Sequence, residues 1–135
     1  NITCSNAQIK ASGYAPDSTK TSSLLFGIQW DLVCKYLEGK EGLTQAMINS
    51  DSSSWGRYSA SSPQAGLDRN KRMNIYDFAG NLWEWTLEKT THSLYPCASR
   101  GGGYSYTGSI HPASGRHDDS TSYTSSVFSF RATFY

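Results

Sequence analysis

The segment from Asn74 to Glu88, Asn-Ile-Tyr-Asp-Phe-Ala-Gly-Asn-Leu-Trp-Glu-Trp-Thr-Leu-Glu, constrains the fold more than any other. Ala79-Gly80-Asn81 supplies a backbone that takes positive φ cheaply, so the chain turns there. Leu82 to Glu88 is apolar and β-prone. Its alternation puts Trp83, Trp85 and Leu87 on one side of a pleat and Glu84, Thr86 and Glu88 on the other. Two tryptophans on one face bring a large apolar area, which predicts the central strand of the core. Glu84 lies between them. If its face is covered too, the carboxylate requires a cationic partner, because an unpaired buried charge is very costly. Arg100 and Arg131 are the candidates; the alternative is that Glu84 faces water.

A chain of 135 residues is one domain, 1–135, long enough to bury a core. Its net charge of +1 gives no general surface for nucleic acid or anionic membrane. No apolar run reaches the length of a bilayer-spanning helix, so no membrane insertion is expected, and no signal peptide is visible. The chain opens at Asn1 without Met, as a fragment or processed product would. Cys4, Cys34 and Cys97 are odd in number and lack metal-like spacing; three thiols, or one bridge and one thiol, are equally compatible. Asn1-Ile2-Thr3 matches a glycosylation sequon.

Residues 1–22 read as polar loop, with Ile2 and Ile9 in short strands. Ser23 to Gly39 reads as a helix whose apolar face holds Ile28, Leu32 and Tyr36 with Val33 and Leu37, and Trp30 reads as core. Leu43 to Ile48 predicts a second, shorter helix burying Ala46, Met47 and Ile48. The long connection from Ser50 to Gln64 is irregular, and Trp55 and Tyr58 are the side chains that would pin it to the body. Arg69, Lys71 and Arg72 read as a solvated basic turn. Lys89 to Ser99 reads as loop, the glycines after Arg100 as a close backbone approach, and Val127 to Tyr135 as a closing strand. The pattern is α+β: two helices early, then strands separated by long loops.

The tail is compositionally unlike the rest. Residues 101–135 contain no Lys, Glu, Gln, Met or Trp, whereas residues 1–100 contain 20 of them. At that rate about 7 are expected in the tail, against ordinary composition. Ser, Tyr, Gly, Thr, Asp and His replace them. A disordered polar tail is one reading of such a composition, but the apolar closing strand argues for order. The other is a recognition surface: Tyr gives large rigid contacts, and Ser, Gly and Asp give adaptable hydrogen bonds, the mixture that antibody paratopes use. None of the five missing types has a codon ending in C, as randomising the first two bases of an AAC codon would produce.

Gly80-Asn81-Leu82-Trp83-Glu84-Trp85, Arg100-Gly101-Gly102, Arg116 and Phe128-Ser129-Phe130-Arg131, in that order, resemble the framework of the formylglycine-generating-enzyme-like branch of the C-type lectin fold. More closely, the chain resembles the variable proteins of diversity-generating retroelements of phages and bacteria. Gly27-Ile28-Gln29-Trp30-Asp31 and Ser54-Trp55-Gly56-Arg57-Tyr58 look like segments of those proteins too. The resemblance covers roughly residues 24–135 and departs from the pattern at Ser129, where the family usually has Gly. It implies a C-type lectin-like fold, with two helices packed on small antiparallel sheets with long loops. It makes residues 101–135 the variable region and closing strand. Ligand binding then falls to Tyr104, Ser105, Tyr106, Ile110, His111, Gly115, His117, Asp118, Asp119, Tyr123, Ser125 and Ser126, with Pro112-Ala113-Ser114 and Arg116 as fixed framework between them. Tyr106, His117, Asp118 and Tyr123 are then replaceable together with little effect on the fold.

The resemblance implies a non-enzymatic receptor-binding module that needs no cofactor. Its target would be a protein or glycan on a cell surface, and it would be carried as an adhesin on a phage tail or a bacterial surface. The alternative is a formylglycine-generating-enzyme-like domain without catalytic cysteines, acting as a structural or sugar-binding module. That oxidase family uses a cysteine pair in the C-terminal region, and residues 98–135 contain no cysteine. His111, His117, Asp118 and Asp119 meet no accepted metal-ligand spacing, so no metal is expected. No nucleophile elbow or phosphate loop is present, and Arg100-Gly101-Gly102 alone is not a nucleic-acid tract.

Overall fold

The computed structural model describes residues 1–135. Three α-helices, α1 (Cys4–Ser12), α2 (Gly27–Leu37) and α3 (Gln45–Asn49), precede most of the strands. The central sheet has four strands in the order β6-β5-β4-β7, where β4 is Trp83–Lys89, β5 Cys97–Arg100, β6 Arg116–Asp119 and β7 Phe128–Phe130. Two small ladders flank it. One joins β1 (Ser22–Leu24) to β8 (Ala132–Phe134), and the other is a hairpin of β2 (Lys71–Arg72) and β3 (Ile75–Tyr76). Met73 and Asn74 both have positive φ in that hairpin, +50° and +64°, which matches the twist of its two strands.

The tryptophan strand occupies the predicted central place. Trp83 and Trp85 are 2% and 1% exposed, in a core that also contains Cys4, Ala7, Ala11, Leu24, Cys97 and Phe128. Trp85 stacks on Phe128, centroids 4.5 Å apart, and its Nε1 donates to the Ile2 carbonyl at 3.0 Å. The opposite face is covered as well, since Thr86 and Glu84 are 1% and 6% exposed. Arg131 supplies the partner that Glu84 requires. Its Nε and Nη2 donate to the two carboxylate oxygens at 2.6 and 2.7 Å. The other candidate, Arg100, pairs elsewhere. A second core lies beneath α2 and α3, built on Trp30, Leu37, Leu43, Ile48, Trp55 and Phe78.

Several sequence expectations are corrected. Residues 4–12 form a helix, not loop and strand: Thr3 caps it by accepting from the Asn6 amide at 3.2 Å. Its buried stripe is Cys4, Ala7 and Ala11, side chains too small to register as an apolar face in the sequence. Ile9 points outward, 69% exposed. Ser22–Leu24 is a strand, so α2 begins at Gly27. Its buried face is Gly27, Trp30, Cys34 and Leu37, while Ile28, Leu32 and Tyr36 are exposed. The i, i+4 stripe was real but faces away from the core, because Trp30 sets the phase. In α3, Ile48 is buried and Ala46 is exposed. Cys97–Arg100 is strand rather than loop, and β7 runs parallel to β4. The closing strand breaks at Arg131, leaving β7 on the central sheet and β8 beside β1. No helix is long and apolar enough to cross a membrane.

Candidate ligand-binding surface

The tail leaves β5 through Gly101-Gly102-Gly103. Gly101 and Gly102 have φ of +89° and +82°, and a Cβ on Gly102 would lie 2.6 Å from the His111 carbonyl oxygen. Only glycine fits that approach. From there the backbone is held on the 50–64 connection. The Ser59 amide donates to the Tyr106 carbonyl and the Ala60 amide to the Tyr104 carbonyl, both at 2.8 Å. The Tyr58 hydroxyl lies 2.9 Å from the Gly101 and the His111 carbonyl oxygens. Burial pushes the Tyr58 phenol up, so it stays a neutral donor. The Ser52 hydroxyl accepts from the Ala113 amide at 2.9 Å, and the Ser53 hydroxyl accepts from the Gly108 amide at 2.9 Å. Trp55 is buried, with Nε1 donating to the Met47 carbonyl at 3.0 Å. The pinning expected of Trp55 and Tyr58 is therefore present. The roles of Ser52 and Ser53 were missed; two serines in a run of polar residues carry no signal of their partners.

The floor of the tail is a closed ring of four charges. Arg100 is fully buried on β5 and donates to Asp31 at 2.5 Å and to Glu88 at 2.8 Å. Arg116 on β6 donates to the other oxygens of the same two carboxylates, both at 2.6 Å. Burial works against the Arg116 guanidinium, but its hydrogen bonds and the charges of Glu88 and Asp31 outweigh this and raise it. Arg100 also donates to the carbonyls of Ser114 and Gly115, both at 3.1 Å. Ala113 is fully buried, and its carbonyl accepts Trp30 Nε1 at 2.9 Å. Pro112 to Arg116 is thus anchored by backbone bonds and by the ring.

On this scaffold the candidate side chains divide into three groups. Tyr106, His111 and His117 gather over the edge of Trp83, with ring centroids 6.2, 4.8 and 5.1 Å from it. Tyr106 and His111 meet edge to face at 4.8 Å, and the two imidazoles are 6.0 Å apart. Asp119 lies on the same sheet face, its Oδ2 buried and 3.7 Å from His117 Nε2. Burial lowers the His111 imidazole, helped by His117, and burial raises the Asp119 carboxyl, with Asp118 adding to the rise. Asp118 alternates to the opposite face and lines a cleft of about 330 Å³ beside Glu88, Lys89 and Arg116. His111, His117, Asp118 and Asp119 therefore do not converge as a metal-ligating set. Tyr123 stands apart, edge to face on Phe128 at 5.4 Å, in the loop that also contains Ser125 and Ser126.

Exposure separates the candidates further. Ile110 is 65% exposed, Tyr106 44% and Tyr123 43%, and Ser105, His117, Asp118 and Ser126 also face solvent. Tyr104, His111, Asp119 and Ser125 are half-buried. Gly115 is half-buried, and a Cβ there would lie 2.9 Å from the Pro112 carbonyl oxygen, so its backbone serves the framework. Of the four positions expected to be replaceable together, Tyr106 and His117 help to cover Trp83, Tyr123 packs on Phe128, and Asp118 faces the cleft.

No family model matches the chain, and no curated protein matches it. Among solved structures it is similar to Treponema denticola variable protein 1, with a TM-score of 0.63 and 21% sequence identity. The likeness covers 84% of this chain and 47% of that one, so the chain spans about half the length of the protein it matches. At that identity the likeness establishes architecture: this chain has the α+β, C-type lectin-like fold, and shares it with a bacterial variable protein.

Proposed function

We propose that this protein is a non-enzymatic binding module whose C-terminal surface recognises a protein or glycan on a cell. The carrying observation is the division of labour in the tail. Its backbone is fixed by Tyr58, Ser52, Ser53 and the Arg100 ring, while Ser105, Tyr106, Ile110, Asp118, Tyr123 and Ser126 project to solvent. A surface built this way changes its chemistry without changing its frame. Likeness in fold to a variable protein supports the reading that the tail is diversified between copies. Display on a phage tail or a bacterial surface fits such a role. The cysteines offer no exposed catalytic thiolate: all three are buried, and burial holds the thiols of Cys4 and Cys34 up to about 12 and about 11.

Tyr106 and Tyr123 are the expected anchors, because exposed aromatic contacts dominate hot spots. The test is to screen the folded chain against arrays of cell-surface proteins and glycans, then titrate the target calorimetrically into single variants. Tyr106→Ala or Tyr123→Ala should weaken binding by more than about 1 kcal/mol. If both are silent while Arg69→Ala abolishes binding, recognition lies outside the tail. Loss of binding on chelation replaces this reading with a metal-dependent one.

A further inference from the structure

Cys4 opens α1 and Cys97 opens β5, at opposite ends of most of the chain. Both are 1% exposed and belong to the same apolar cluster, with Ala7, Trp85 and Phe128 around them. Both are free thiols in this structure, and Cys97 sits close enough to act on the Cys4 thiol. Cys34 lies in the other core, among Trp30, Leu37 and Ile48. We propose that Cys4 and Cys97 are the two halves of a disulfide that ties α1 to the central sheet, and that Cys34 remains a thiol.

Such a tie would reinforce the helix. Its buried stripe is only Cys4, Ala7 and Ala11, which bring little apolar area to the sheet. A cross-link there closes a loop of most of the chain, where the entropic effect on the unfolded ensemble is largest. The chemistry requires an oxidant, a small-molecule disulfide such as oxidised glutathione. The thiolate of one cysteine attacks a sulfur of that disulfide and expels one small thiol, leaving a mixed disulfide. The second cysteine attacks the protein sulfur of the mixed disulfide and expels the other small thiol. Two electrons pass from the protein thiols to the small disulfide, and the two protons leave on the released thiols. In the closed fold, burial leaves Cys4 almost entirely protonated, with its thiol pushed up to about 12. The bond therefore forms before α1 docks, or during local opening of α1. The same burial then shields it from reductants.

The chain's own trypsin sites resolve the question. Cys4, Cys34 and Cys97 fall in separate peptides, 1–10, 21–35 and 90–100. The full chain is refolded from denaturant in a mixture of reduced and oxidised glutathione, free thiols are alkylated, and the unreduced digest is read by mass spectrometry. The expected product is peptide 1–10 linked to 90–100, with 21–35 alkylated. Three alkylated peptides, or any link to 21–35, overturn the proposal. The oxidised chain should also melt about 10 °C above the reduced chain, from the loop-entropy effect at this size. An unchanged or lower melting temperature shows that the bond does not fit the fold and overturns it as well. In Cys34→Ala the shift should persist, and in Cys4→Ala it should vanish; a shift that survives in Cys4→Ala has another origin and overturns the assignment.

Discussion

Arg131 grips Glu84 at two points, 2.6 and 2.7 Å, across the parallel pairing of β4 with β7. Its guanidinium also donates to the Tyr76 carbonyl at 3.0 Å and lies over the Phe78 ring, 5.7 Å from the centroid. One side chain thereby joins the central strand, the small hairpin and the chain's last turn.

Removing Arg131 leaves the Glu84 carboxylate, 6% exposed, buried without compensation. Arg131→Ala should destabilise the fold by about 3–5 kcal/mol, as for other broken buried pairs. Urea denaturation measures this as a lower midpoint at unchanged slope. The double variant Glu84→Leu, Arg131→Met should recover a large part of the loss, because an apolar pair of similar volume needs no desolvation. A single variant as stable as the parent would place Glu84 in water.

Substitutions in the tail should sort by what they cover. Ile110→Ser and Asp118→Ser touch little of the core and should stay within about ±0.5 kcal/mol of the parent. His117→Ala uncovers Trp83 and should cost more, about 1 kcal/mol, the common size of an aromatic contact. Thermal melts of the three variants test the order. Equal losses at all three positions would mean that the tail is packed throughout.

Stability should fall between neutral and mildly acidic pH, and His111 should cause part of the fall. Its folded pKa is depressed, first by burial and then by the neighbouring His117. The unfolded state therefore binds the proton more readily, and stability is lost as pH drops through the ordinary imidazole value near 6.5. Asp119 acts with the opposite sign. Burial raises its folded pKa, so its destabilising effect is present above that value and relieved as pH falls towards the ordinary carboxyl range. Melting temperatures taken from pH 7.5 to 5.5 should decline less steeply in His111→Gln. Asp119→Asn should melt higher than the parent at neutral pH.

The strand at the centre was legible because Trp83 and Trp85 alternate with polar residues in a pattern that only a pleat accommodates. The ion pair of Glu84 followed from the cost of burying it alone, but choosing Arg131 over Arg100 required the fold. Arg100 belongs to a ring assembled from α2, β4, β5 and β6, and no local pattern foretells a four-way junction. Helix α1 was hidden because alanine and cysteine make a buried stripe without an apolar signature. The phase of α2 was misread because Ile28, Leu32 and Tyr36 outweigh Trp30 in number, while Trp30 has the partners, Phe78 and the Ala113 carbonyl. The tail announced itself by composition. Its division over two sheet faces did not, since that depends on which residues of β6 face Trp83.

The loop that contains Tyr123 starts at Asp119 on one edge strand and ends at Phe128 on the other, and both ends are fixed by sheet pairing. The free-energy cost of such a span rises only with the logarithm of its length, about 0.6 kcal/mol for each doubling. The loop can therefore lengthen or shorten at little cost to the sheet that holds both its ends.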